Sequence, residues 1–238
     1  MKKTYVKGLI AAAIGSLMIV GSASASRLPE LSKNFAWNNA DYWSVSDLSK
    51  GQATFQLTWE NPDATYESSF GLYSLENNPI LSPKVSKTFE VFGAFDEPTK
   101  APTTANSASA WFRLTNGMWQ VSQTEGGVYK DFGNVFGFYS DVYTGVKGTK
   151  ISYTWYTDSQ FNSDGEEHFA IAYNKTTHDT AIYLEDREGG LKSGGEDNVD
   201  LMVTGSDLDP VPEPNTMLLF GTGLIGLAGV ARRKKAKK

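Results

Sequence analysis

The chain has 238 residues, no cysteine and a formal charge of −5 at neutral pH. Without cysteine there is no disulfide framework and no thiol nucleophile, so a hydrophobic core or bound ions must hold the fold. Residues 26–210 carry 13 basic against 26 acidic side chains, a formal charge of −13, and a surface of that sign repels a phosphate backbone, which argues against nucleic-acid binding.

The first predicted element is an address. Lys2, Lys3 and Lys7 form a positive stretch, Leu9 to Val20 are nearly all apolar or small, and Ala23-Ser24-Ala25 offers the small side chains a signal peptidase admits. Residues 1–25 are therefore expected to be a cleaved signal peptide, with the mature chain starting at Ser26. An uncleaved membrane anchor needs about 17 to 25 apolar residues, and this run becomes polar beyond Val20.

The next elements are strands. Phe55, Leu57 and Trp59 alternate with Thr54, Gln56 and Thr58 in ATFQLTW (53–59). Ile151, Tyr153 and Trp155 share one face of 150–158, and Phe169, Ile171 and Tyr173 share one face of 167–174. Residues 69–75, 87–95, 108–115, 134–142, 179–187 and 198–205 read the same way, separated by Gly, Asn, Asp and Pro. The expected fold is all-β, a β-sandwich or jelly-roll-like domain over 26–210. The polar segment 97–110 reads as a long loop on one sandwich or a linker between two lobes, and the single domain is favoured because either half alone would have a thin core.

Chemistry-bearing residues are sparse. His168 opens a strand and His178 sits in an NKTTHDT turn, and both are expected as surface or turn residues. No nucleophile-elbow motif accompanies them. Two acidic turns stand out instead. TDSQFNSDGEEHF (157–169) offers Asp158, Asn162 and Asp164 as hard oxygen ligands, and 184–203 offers Glu185, Asp186, Asp197 and Asp200, with glycines that let carboxylates converge. Such oxygens suit Ca²⁺; the same Asn, Asp and Gly also make turns unaided. Trp37, Trp43 and Trp119 lie outside clear strand patterns and are the candidates for stacking on sugar rings, whereas Trp59, Trp111 and Trp155 are expected in the core. Asn174-Lys175-Thr176 matches a glycosylation sequon, a frequent chance match.

Parts of this region resemble the extracellular domain of unknown function 4114. The residues that carry the resemblance are Tyr156 with Asp158, Asn162, Asp164, Gly165 and His168, then Leu184, Glu185 and Asp186, then Gly194, Gly195, Asp197, Asp200, Leu201 and Val203. It spans residues 130–205 and departs at Gly195-Glu196-Asp197-Asn198-Val199-Asp200, where the family commonly reads Asp-x-Asp-Tyr-Asn-Asp. The family supplies no established reaction, so the resemblance implies a non-enzymatic exported module.

The last element is the tail. Thr216 to Val230 contains no charge, and a helix of these residues would be roughly 22 Å long, shorter than a typical hydrocarbon core. Arg232, Arg233, Lys234, Lys235, Lys237 and Lys238 follow it and would stay on the cytoplasmic side. Pro212 and Pro214 bracket Glu213 and keep the segment before the span extended. The order Val211-Pro212-Glu213-Pro214, apolar run, basic tail resembles the PEP-CTERM sorting signal over residues 211–238. That resemblance implies a short membrane helix at 216–231 that parks the exported protein in the bacterial inner membrane. It also implies an exosortase-type enzyme as processing partner, and release to a cell surface or matrix containing exopolysaccharide. The expected function is thus a non-catalytic surface or matrix protein; the alternative is a secreted carbohydrate-binding module or glycoside-active enzyme using surface carboxylates and aromatics.

Overall fold

Alternating apolar side chains become strands wherever one face can be buried, and that rule accounts for most of this molecule. The computed structural model describes residues 31–46, 52–60, 66–76, 84–94, 107–144, 150–192 and 199–211. The expected signal peptide (1–25), most of the 97–110 loop, Asp197 and the tail from Pro212 onward, including 216–231, lie outside the described residues.

Among the described residues fifteen strands run in chain order: β1 (Ala36–Asn38), β2 (Tyr42–Val45), β3 (Gln52–Glu60), β4 (Glu67–Ser68), β5 (Phe70–Leu75), β6 (Val85–Phe92), β7 (Ser107–Thr115), β8 (Met118–Ser122), β9 (Lys130–Asp131), β10 (Phe136–Thr144), β11 (Lys150–Tyr156), β12 (Phe169–Asn174), β13 (Asp179–Leu184), β14 (Leu201–Ser206) and β15 (Leu208–Val211). One sheet has the order β1-β12-β13-β14-β3-β7-β8-β9 and the other β15-β2-β10-β5-β6, with β4 and β11 also paired to β10. All of these pairings are antiparallel. The all-β expectation holds.

The inner faces of the two sheets share one aromatic core. Phe55 of β3 meets Phe70 of β5 at 5.6 Å between ring centres, and Phe112 of β7 stacks on Phe136 of β10 at 5.5 Å. Leu57, Ile171, Ile182, Leu184 and Val203 from the first sheet join Trp43, Leu72, Phe138 and Trp155 from the second. Each such side chain contributes about 1.5–3 kcal/mol through burial, and offset or edge-on ring pairs add to it. Over β12–β14 the outer face of the first sheet is covered too: Tyr183, Ala181, Ala172 and Met202 pack with Val199 and with Leu31 and Phe35 of the leading segment. Strand β13 is consequently buried along its whole length.

Three connections position the acidic side chains and the sorting segment. Residues 157–168 carry the chain from β11 in the second sheet to β12 in the first. Residues 185–200 connect β13 to β14, whose register pairs Leu184 with Leu201. At Asp207, where φ is +60°, the chain turns out of β14 and crosses into β15. That last strand is an edge strand pairing with β2, so Pro210 opposite Trp43 occupies a place where a missing amide donor is tolerated.

Candidate metal centre

The crossover 157–168 is built as a hydrogen-bonded turn. Asp158 caps a single 3-10 turn, Ser159–Phe161, by accepting from the Gln160 amide at 3.1 Å. Its other carboxylate oxygen accepts from the Tyr42 hydroxyl and the Gln160 side chain. Asn162 is buried and saturated: Oδ1 accepts from the Tyr156 amide at 2.8 Å, while Nδ2 donates to the Tyr156 and Glu166 carbonyls at 3.1 and 2.8 Å. These two residues, expected as Ca²⁺ ligands, instead use their polar atoms to hold the turn. The competing turn chemistry of Asp and Asn wins here.

Asp164 is engaged as well. Its oxygens accept from the Glu166 amide at 3.0 Å and the Gly189 amide at 2.9 Å, and His168 Nε2 lies 3.0 Å from Oδ2. Burial alone would raise this carboxyl, but the amides of Gly189 and Glu166 and the His168 ring outweigh it and hold it below its ordinary value. His168, expected as a surface or turn residue, ends this turn but does not lie at the surface. It is fully buried, stacked on the Trp155 indole at 3.7 Å and 8° between planes, with Nδ1 2.9 Å from the Glu185 carbonyl oxygen. Both ring nitrogens are engaged, Nδ1 with the Glu185 carbonyl oxygen and Nε2 with Asp164.

Glu185, Asp186 and Asp200 form the one group of three or more metal-competent side chains among the described residues, with one oxygen of each lying within 4.8 Å of the others. Strand register brings them together. Glu185 and Asp186 follow Leu184 directly, Asp200 precedes Leu201, and those two leucines are cross-strand partners. The backbone completes the closure, since the Asp200 amide donates to the Leu184 carbonyl at 2.7 Å and the Asp186 amide donates to Asp200 Oδ2 at 3.1 Å. From the other sheet Ser68 of β4 donates to Asp186 Oδ2 at 3.1 Å. The Trp155 indole donates to the Asp186 carbonyl oxygen at 2.8 Å.

All three acids are at most 2 % exposed. Glu185 Oε1 accepts from the Arg187 amide at 3.2 Å, but Oε2 is buried with no hydrogen-bond partner. No ion pair reaches the three carboxylates among the described residues. Burial, and then the Asp200 carboxylate beside them, push Glu185 and Asp186 each up to about 8. Such a cluster is held together only by shared protons or by a cation.

The aromatic expectations divide. Trp37 is exposed at the sheet edge, its ring edge-on to Tyr183. Trp43 and Trp119 are core residues and cannot present a face to a sugar: Trp43 is fully buried, with its indole bonded to the Ala40 carbonyl, and Trp119 packs on Phe112. Trp111, expected in the core, instead lines a groove of about 470 Å³ with Phe89, Gln123, Thr124 and Glu125. The sequon asparagine, Asn174, is buried and uses Oδ1 to accept from the Thr176 amide, so its side chain belongs to a turn.

Sequence reasoning misses Ser68 and Trp155 as members of the centre. Ser68 sits on a two-residue strand too short to show a period, and the alternation around Trp155 points only to packing, although its indole N–H requires a buried acceptor.

Among known proteins, residues 210–235 match the family model described as the PEP-CTERM protein-sorting motif. No curated protein and no solved structure matches the chain. Among the described residues no helix is long and apolar enough to cross a membrane. The matched motif starts inside β15, the edge strand that holds Pro210 and Val211.

Proposed function

We propose that this chain is a non-catalytic exported protein, led out by residues 1–25, held briefly in the inner membrane by 216–231 and processed near Val211-Pro212-Glu213-Pro214 by an exosortase-type enzyme. It then resides at the cell surface or in an exopolysaccharide-containing matrix as one β-sandwich domain over 26–210. The observation that carries this reading is the sorting-motif match at residues 210–235. Its physical logic is consistent with the fold: Pro210 and Val211 end an edge strand, and the following Pro-Glu-Pro run has too few amide donors to extend the sheet. Support for a non-catalytic role comes from the acids themselves, because the three that converge are buried out of reach of a polymer chain. The resemblance of residues 130–205 to the domain of unknown function 4114 belongs to the same reading.

A second reading, carbohydrate binding, is favoured by the Trp111 groove, where aromatic faces adjoin Gln123, Thr124 and Glu125. The test of the leading reading is Glu213→Ala in the native host. Unprocessed protein should accumulate in the inner-membrane fraction, and normal delivery of the variant to the surface would contradict the proposed sorting route.

A further inference from the structure

We infer that Glu185, Asp186 and Asp200 form a Ca²⁺ site, buried between the β13–β14 connection and strand β4, that fastens the two sheets together at this end of the domain. The inference rests on geometry independent of the sorting motif. The three side chains bring one oxygen each within 4.8 Å of one another, with Asp186 held through its carboxylate by Ser68 and through its backbone carbonyl by Trp155. The second observation is the orphaned oxygen: Glu185 Oε2 is buried, belongs to a residue 1 % exposed, and meets no donor. A buried carboxylate oxygen without a donor is costly, and an ion at the centre of the cluster satisfies it while drawing on its two neighbours.

The donor set selects the cation. Three carboxylates and a serine hydroxyl are all hard oxygen ligands, which excludes a preference for copper or thiophilic metals. A zinc site would call for an imidazole, and the only one nearby is committed, with Nδ1 on the Glu185 carbonyl and Nε2 on Asp164. Mg²⁺ demands a strict octahedron at short distances, whereas Ca²⁺ accepts irregular geometry and carboxylates that bind through one or both oxygens, which suits three converging acids. The surroundings also make the site rigid. His168 bonds the Glu185 carbonyl, Asp164 holds His168, and Gly189 donates to Asp164, so the turn expected to supply ligands instead supports the residues that do.

The experiment is titration of the full-length chain, stripped with EDTA, with CaCl₂ in a calorimeter, followed by thermal melts. One equivalent of Ca²⁺ should bind, and a hundredfold excess over Kd should raise Tm by roughly 5–10 °C. Tb³⁺ at the same site should emit on tryptophan excitation through the adjacent Trp155 indole, and Ca²⁺ should quench that emission by displacement. Glu185→Gln and Asp200→Asn should each weaken Ca²⁺ binding about tenfold or more. Circular dichroism establishes which variant is folded, and either folded variant decides the assignment. No heat, no Tm shift and no Tb³⁺ emission in the unaltered chain would overturn the site outright. Undiminished binding in a folded Glu185→Gln or Asp200→Asn chain would place the ion elsewhere and overturn it equally. Neither outcome touches the sorting proposal.

Discussion

The His168 imidazole lies flat on the Trp155 indole, 3.7 Å between ring centres, and the pair joins the two sheets because Trp155 belongs to β11 and His168 leads into β12. Each ring also carries one bond to the acidic connection, Trp155 to the Asp186 carbonyl and His168 to the Glu185 carbonyl. Trp155→Phe keeps an aromatic surface but leaves the Asp186 carbonyl buried without its donor. The expected cost is about 1–3 kcal/mol, read from the urea midpoint, with Ca²⁺ affinity also reduced. An unchanged midpoint would show that the indole bond holds nothing.

Asn162 makes a different prediction because it is a clamp and not a ligand. Asn162→Ala removes three bonds that close the turn from Tyr156 to Glu166 and should destabilise the domain by about 2–4 kcal/mol. The Ca²⁺-dependent rise in Tm should survive in that variant. Its loss with the fold intact would restore Asn162 to the ligand set.

Much of the fold is legible in period-two patterning, and the exceptions have physical causes. The runs 53–59, 150–158, 167–174 and 179–187 all contain strands; alternation of burial shows in β3, whereas β13 is buried on both faces and β11 is buried only at Trp155. Ile151 breaks the pattern: it is exposed, beyond a register shift between Val142 and Tyr143 of the partner strand. Strands β1, β2, β4, β9 and β15 have four residues or fewer, too few for a period to register. The burial of Trp43 is hidden for that reason. Trp119 does carry a usable signal, because Trp119 and Val121 alternate with Met118 and Gln120 in β8. The carboxylates Glu185, Asp186 and Asp200 are visible as an acidic stretch, but their convergence depends on the Leu184–Leu201 register, which composition does not encode.

The acids give a pH dependence whose sign follows from proton counting. With cation removed, folded Glu185 and Asp186 hold protons up to about 8, whereas the unfolded chain releases them near 4.5 and 3.8. Between those limits the native state binds more protons than the unfolded state, so stability should fall as pH rises from about 4 to 8. Asp164 acts oppositely: its contribution is present above its ordinary value of 3.8 and is lost at lower pH, as the solution passes through its depressed folded value. Melts in EDTA across pH 4–8 check the first slope. A stability that rises through that window would contradict the buried cluster, and Glu185→Gln should flatten the curve.

Gly190 tests the support beneath the centre. Its φ is +51°, and a Cβ at that position would collide with the Glu167 carbonyl oxygen, which accepts from the Leu191 amide at 2.8 Å. Gly190→Ala should therefore cost roughly 1–3 kcal/mol through both backbone strain and displacement of the 187–192 turn. A melt indistinguishable from that of the unaltered chain would show that the turn is free to move aside.

The central claim concerns the fate of the tail, and intact-mass measurement on the native host's surface fraction tests it most directly. The proposed removal of residues 1–25 and 216–238 would take away both apolar runs and all nine terminal basic charges, and the strongly acidic domain left should partition with soluble or polysaccharide-bound material. The predicted result is a mass corresponding to a chain that begins near Ser26 and ends near the Pro-Glu-Pro motif. A species that still carries residues 216–238 and leaves the membrane only in detergent would contradict it.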